Sequence, residues 1–111
     1  MSAHQNAYMA PKSSDAFQTI AAYYWDEARN DAALNDAQKR EFLGKGVEAA
    51  DKALALKADF VEALTFKGLL LRQQALLEKD PAKAQQLLKE GTALGDKAND
   101  LRKAQTGRST Q

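Results

Sequence analysis

The segment from Ala49 to Leu71, AADKALALKADFVEALTFKGLLL, constrains the fold of this 111-residue chain more than any other stretch. Apolar residues and alanines recur at helical spacing on both sides of a short polar break at Lys57-Ala58-Asp59. The small residues stand where two helix backbones would have to approach each other closely. This pattern predicts the end of one amphipathic helix, a tight turn and the start of a second helix. Such a helical hairpin is typical of a scaffold that binds something rather than of a catalyst.

Composition favours a single all-α domain. Alanine, leucine, lysine, glutamine and the acidic residues dominate, and these are mainly helix formers. The net charge is only +1, and neither half of the chain has the one-sided basic charge that nucleic acid or an anionic membrane would select. The chain has no cysteine, which excludes disulfides and thiolate sites. No stretch approaches the roughly 18 continuous apolar residues of a membrane span.

Four antiparallel helices are predicted from apolar spacing and from the residues that mark helix ends. Their approximate ranges are 14–29, 35–57, 59–78 and 80–104. The third helix is apolar around most of its circumference, so we expect it to be covered on several sides at the centre of the domain. The predicted apolar stripe of the fourth helix is Ala84, Leu87, Leu88, Gly91, Leu94, Ala98 and Leu101.

Each predicted helix begins at a residue that can cap it. The predicted N-caps are Ser13 or Ser14, Asn35, Asp59 and Asp80. Gln38 and Glu62 each follow a cap by three positions, which predicts a capping box for the second and third helices.

Glycines inside the predicted helices call for a structural reason, because each costs roughly 1 kcal/mol relative to alanine. For Gly46 we favour the close approach of another helix, and a bend near Gly44 is the competing explanation. Gly68 suggests a backbone contact in the third helix. Gly91 and Gly95 weaken the fourth helix, whose last turns we expect to be mobile.

The domain organisation follows from these elements. We predict a flexible N-terminal segment over residues 1–12, a helical domain over 13–105 and a flexible tail over 106–111. A cytoplasmic location is the default expectation, and an exported or lipid-anchored precursor is the alternative.

The sequence KALALKADFVEALTFKGLLL resembles the junction between two tetratricopeptide repeats, which are helix–turn–helix units of about 34 residues. The residues that match the family's small and large positions are Gly46, Ala50 and Ala53 before the turn, and Leu64, Gly68 and Leu71 after it. The resemblance extends over about residues 14–104, and it implies two helical hairpins.

The match to this family is divergent. Ala58 stands where the family usually has proline, and the equivalent residues Phe17 and Leu64 lie 47 positions apart rather than about 34. Such arrays usually need three or more repeats for stability. Two repeats must therefore close into a compact four-helix array, dimerise or stack on another protein.

Catalysis finds little support in the residues. The single histidine, His4, lies in a polar lead-in and is expected to be solvated. There is no Glu-x-x-His pair for a carboxylate metal site in a bundle, and Gly44-Lys45-Gly46 lacks the spacing of a phosphate loop. We therefore predict no enzyme activity, no catalytic residue, no metal and no cofactor.

The aromatic run Tyr23-Tyr24-Trp25 cannot share one narrow helix face, since successive residues are about 100° apart. Tyr24 belongs to the inner face of the first helix. Trp25 or Tyr23 then either packs on a neighbouring helix or forms a partly exposed anchor of the kind enriched at protein interfaces.

The family resemblance also implies a binding surface, because the first helix of each tetratricopeptide repeat lines the concave groove. The corresponding positions are Gln18, Ala22 and Trp25 in the first repeat and Thr65, Leu69 and Arg72 in the second. The lysine, asparagine and arginine set with which some members clamp a peptide carboxyl terminus is absent at these positions. The implied function is a protein–protein interaction module that docks a peptide or partner subunit. Because neither half of the chain has a one-sided basic charge, we expect no nucleic-acid partner.

Two other functions are consistent with parts of the sequence. The small number of repeats leaves end surfaces uncovered, which suggests a self-associating subunit such as a homodimer. A helical bundle that carries a cofactor is the third hypothesis, and it predicts a bound chromophore or metal.

Overall fold

The computed structural model describes residues 13–110, which form four α-helices and, within this range, no strand. The helices are α1 (Ser14–Asn30), α2 (Asp36–Leu56), α3 (Val61–Leu77) and α4 (Pro81–Thr110). The all-α prediction is thus confirmed. The helix α4 continues beyond its predicted end near Ala104 and through most of the predicted tail. The predicted flexible segment 1–12 lies outside the described residues.

Two of the predicted caps are formed as expected. The Ser13 hydroxyl accepts a hydrogen bond from the Ala16 backbone N–H at 3.0 Å, so Ser13 is the N-cap of α1. Asn35 and Gln38 form a reciprocal capping box at α2, with each side chain accepting the other's backbone N–H at 2.8 and 2.9 Å. These bonds satisfy N–H groups that have no partner within the helix.

The capping box predicted for α3 is wrong. The N-cap is Phe60, not Asp59, and no side chain caps this end of the helix. The Phe60 ring is buried in a cluster with Ala53 and Ala63, and its backbone N–H closes the turn by donating to the Lys57 carbonyl at 3.2 Å. Burial of an aromatic ring therefore fixes the turn, and Asp59 is left exposed.

At the start of α4, the carboxylate of Asp80, the predicted cap, accepts the Ala82 N–H at 3.0 Å.

The helix α3 lies at the centre of the fold, as its sequence predicts, because it packs on all three other helices. The helices α1 and α2 form one antiparallel pair, and α3 and α4 form another. Within the described chain, α4 packs on α3 and does not reach α1 or α2 at backbone distance. The four helices therefore form an open row rather than a closed bundle.

Alanines dominate the positions where these helices meet. Ala21, Ala50, Ala53, Ala63 and Ala98 are each 0% exposed. The largest fully buried side chains are those of Leu43 and Leu70. Short side chains at the contacts let the helix axes approach closely, while leucines fill the space between them.

The glycines mark the closest contacts. A Cβ atom placed on Gly46 would lie 2.9 Å from Leu70 Cδ2, so the close approach predicted at Gly46 is confirmed, with a leucine side chain filling the space. The same atom placed on Gly44 would meet nothing within 4 Å, and α2 is continuous through this residue. Gly68 faces the backbone of Gly91, as described below.

Candidate partner-binding surface

The parallel arrangement of α1 and α3 brings part of the predicted groove together. Phe17, near the start of α1, packs on the cluster that contains Phe60 and Ala63 at the start of α3. Trp25, near the end of α1, lines the same cavity as Leu69. Trp25, Leu69 and Arg72 line one cavity of about 250 Å³. We call it the Trp25 cavity; its other lining residues are Gln73, Leu76 and Leu88.

Trp25 combines the two roles that the sequence left open. Its ring is partly buried and packs against the core cluster that contains Leu43 and Leu70. The Arg29 guanidinium lies 5.3 Å from the ring centroid, a cation–π contact that helps to hold the indole in place. The remainder of Trp25 lines the cavity. Tyr23, in contrast, is 55% exposed, and its ring forms a T-shaped contact with the ring of Tyr24, with centroids 5.2 Å apart.

Two exposed leucines extend the apolar character of this cavity. Leu76 of α3 is 77% exposed and Leu88 of α4 is 42% exposed. The sequence placed Leu88 in the apolar stripe of α4, and the structure leaves this part of the stripe exposed. Since α4 packs on α3 alone, the flank of α4 that carries Leu88 has no helix to cover it. Neither leucine belonged to the predicted site.

A groove between α3 and α4 continues from the Trp25 cavity. Thr65, Leu69 and Arg72 line this groove of about 190 Å³ together with Gly68, Gly91, Gly95, Asn99 and Arg102. We call it the arginine groove. Leu69 and Arg72 line both the groove and the Trp25 cavity, so the two form one continuous surface.

Four of the six predicted site residues thus lie on one surface: Trp25, Thr65, Leu69 and Arg72. Gln18 and Ala22 are half-buried on α1 and line neither the Trp25 cavity nor the arginine groove. The Thr65 hydroxyl donates to the Val61 carbonyl of its own helix at 2.9 Å. Arg102, which the sequence did not single out, adds a cation from α4.

The charge on this surface is one-sided. Arg72 and Arg102 are both exposed, and none of the described lining residues of the cavity or the groove carries a carboxylate. The Arg72 stem lies against Gly91, where an added Cβ would stand 2.8 Å from Arg72 Cγ. Arg102 Nη1 donates to Asn99 Oδ1 at 3.3 Å.

The opposite face of α3 has a different character. A cavity of about 360 Å³ between α2, α3 and α4 is lined by Arg40, Gln74, Glu78, Lys83, Gln86, Leu87 and Glu90. Arg40 Nη2 donates to the Leu77 carbonyl at 3.2 Å. Lys67 Nζ lies 2.7 Å from an Asp51 carboxylate oxygen and 4.0 Å from a Glu90 one. On this face, charged side chains are used to join the helices to each other.

Metal-binding chemistry finds no site in the part of the chain that the structure describes. Residues 13–110 hold no group of three His, Cys, Asp or Glu side chains that could bind a metal ion.

None of the helices over this range is long and apolar enough to cross a membrane. His4 lies outside the described residues, and the absence of a cofactor or of enzyme activity stays a prediction.

Comparison with known proteins adds no relative: no protein-family model matches the chain, and no curated protein or solved structure matches it. The resemblance to tetratricopeptide repeats therefore stays a prediction that depends on the residues quoted for it.

Proposed function

We propose that this chain is a protein-interaction module, a tetratricopeptide-like scaffold that docks a peptide or a partner subunit. The binding surface is the Trp25 cavity together with the arginine groove. The observation that carries the proposal is the position of Trp25, the only tryptophan in the chain. Trp25 lines a cavity together with the exposed Leu76. Tryptophan and arginine are the residues most enriched among those that dominate binding energy.

The exposed apolar area is enough to favour association. Covering Leu76 and Leu88 would each contribute roughly 1–2 kcal/mol of apolar burial. Trp25 is already held by its packing and by Arg29, so it would lose little side-chain freedom on binding.

The open row of helices supports docking on this side rather than end-to-end stacking. The outward positions of α4 are exposed and mostly polar or charged, among them Lys89, Thr92, Asp96, Lys97 and Asp100. A polar, charged outer face offers little apolar area on which a further helix could stack. Self-association remains the alternative function.

A photo-cross-linking amino acid introduced in the native cell tests the proposal. It is placed at Gln73, which lines the Trp25 cavity, and for comparison at Leu56, which is 56% exposed on α2 and lies outside this surface. We expect a discrete adduct from Gln73 and not from Leu56, and we expect Leu76→Gln to weaken it strongly. Equal adducts from both positions, or none from Gln73, would contradict the proposal. An adduct of twice the chain's mass would show self-association instead.

A further inference from the structure

We infer that the segment bound by this surface is an acidic peptide with one large apolar side chain. The apolar side chain enters the Trp25 cavity, and the carboxylates of the peptide lie along the arginine groove between Arg72 and Arg102. The inference depends on the proposed function, since it specifies the partner of the same surface.

The charge of the groove is the first argument. The whole chain has a net charge of +1, yet the described lining residues of the cavity and groove contribute two arginines and no acid. The cavity on the opposite face has two cations and two glutamates, so its charges balance. An unbalanced pair of cations in a groove attracts a ligand of opposite charge and disfavours a basic one.

The state of the two guanidiniums is the second argument. Within residues 13–106, Arg72 is exposed and forms no ion pair or hydrogen bond with another side chain, so its donors are free for a ligand. Arg102 donates one hydrogen bond, from Nη1 to Asn99 Oδ1 at 3.3 Å, and a guanidinium carries five N–H donors in all. Guanidinium groups bind carboxylates in a bidentate manner, which favours aspartate and glutamate side chains as partners.

The shape of the surface is the third argument. The apolar Trp25 cavity and the arginine groove share Leu69 and Arg72, so an apolar side chain and a carboxylate on one peptide can be bound at the same time. Single-stranded nucleic acid, the other anionic polymer with groups that stack on tryptophan, usually needs a longer cationic track along its backbone. The nearly balanced charge of the chain supplies no such track.

Selection from a random peptide display library tests the inference with the full chain as bait. Parallel selections use Leu76→Gln, which removes apolar area without adding charge, and the double variant Arg72→Gln/Arg102→Gln. A second double variant, Lys89→Gln/Lys97→Gln, removes the same charge from exposed positions of α4 outside the groove. Circular dichroism establishes that each variant keeps its helices.

We expect the wild-type chain to enrich peptides that combine a large apolar residue with aspartates or glutamates. Synthetic versions should bind the Arg72→Gln/Arg102→Gln variant about tenfold more weakly, with a smaller salt dependence. Their affinity for the Lys89→Gln/Lys97→Gln variant should stay within about twofold of wild type.

The other outcomes separate the inference from the proposed function. Enrichment of neutral or basic peptides that Leu76→Gln abolishes would overturn the acidic partner and leave the docking surface in place. No enrichment over the Leu76→Gln bait would contradict both. Tighter binding of an oligothymidylate than of any selected peptide, lost on removal of the two arginines, would overturn the inference in favour of nucleic acid.

Discussion

The backbones of Gly68 and Gly91 touch where α3 crosses α4. A Cβ atom on Gly68 would lie 2.9 Å from the Gly91 carbonyl oxygen, and one on Gly91 would lie 2.8 Å from the Gly68 carbonyl oxygen. This contact forms the floor of the arginine groove and holds Arg72 and Arg102 on its two sides. The stability of the α3–α4 pair and the shape of the proposed binding surface therefore depend on the same two residues.

Substitution of Gly68 should be destabilising. Gly68→Ala forces the two backbones apart, and we expect a loss of about 1–3 kcal/mol in the free energy of unfolding. Urea denaturation followed by circular dichroism measures it. The control is Gly44→Ala, whose new methyl group meets nothing within 4 Å and should stabilise α2 by about 0.5–1 kcal/mol. Equal effects of the two substitutions would contradict the close crossing.

The two polar residues that precede helices should differ in importance. Asn35→Ala removes the side-chain oxygen that accepts the Gln38 N–H and leaves the hydrogen bond from the backbone N–H of residue 35 to Gln38 Oε1, and a loss of about 1 kcal/mol is expected. Asp59→Ala should change stability by less than about 0.5 kcal/mol, because the start of α3 has no side-chain cap. Thermal unfolding of the pair provides the measurement, and a larger loss for Asp59→Ala would contradict the turn at Phe60.

Lys67 joins three helices through its charge. Its side chain is 19% exposed and lies between Asp51 of α2 and Glu90 of α4. Lys67→Met keeps most of the apolar stem and removes the charge, and we expect a loss of about 1 kcal/mol that shrinks at high salt. The comparison is Lys45→Met, which breaks an exposed pair with Glu41 and should cost under about 0.5 kcal/mol. A salt-independent loss at Lys67 would point to packing instead.

The sequence predicted the helices well where the signal is local. The capping residues Ser13 and Asn35 follow from neighbouring positions in the chain, whereas the partner of Gly68 depends on how α3 and α4 cross. The start of α3 was misplaced because burial of Phe60 outweighs the capping preference of Asp59, and burial depends on where α2 ends.

The proposed binding surface was harder to predict from the sequence than the helices were, for a geometric reason. Family positions place Gln18 and Ala22 in a groove that runs the length of α1 and α3. The observed cavity lies instead towards the C-terminal end of α1 and continues between α3 and α4. The participation of Leu88 and Arg102 depends on how α4 crosses α3, and the apolar spacing of α4 by itself does not specify that crossing.

The exposed leucines allow binding to be changed without changing stability. Leu76 and Leu56 are both more than half exposed, so replacement of either by glutamine should alter the free energy of unfolding by less than about 0.5 kcal/mol. Only Leu76→Gln removes apolar area beside the Trp25 cavity. Urea denaturation of both variants checks this, and a large loss at Leu76 would mean that it belongs to the core.

Fluorescence of Trp25 tests the central claim most directly, because the chain has a single tryptophan and it lines the proposed site. The ligand is the partner captured by cross-linking at Gln73, or a tryptophan-free peptide from the display selection, titrated into wild-type protein and the two leucine variants. We predict a saturable blue shift of the emission, an affinity about tenfold weaker for Leu76→Gln, and no change for Leu56→Gln. Calorimetrically detected binding that leaves Trp25 emission unchanged, or that both variants weaken equally, would contradict the account.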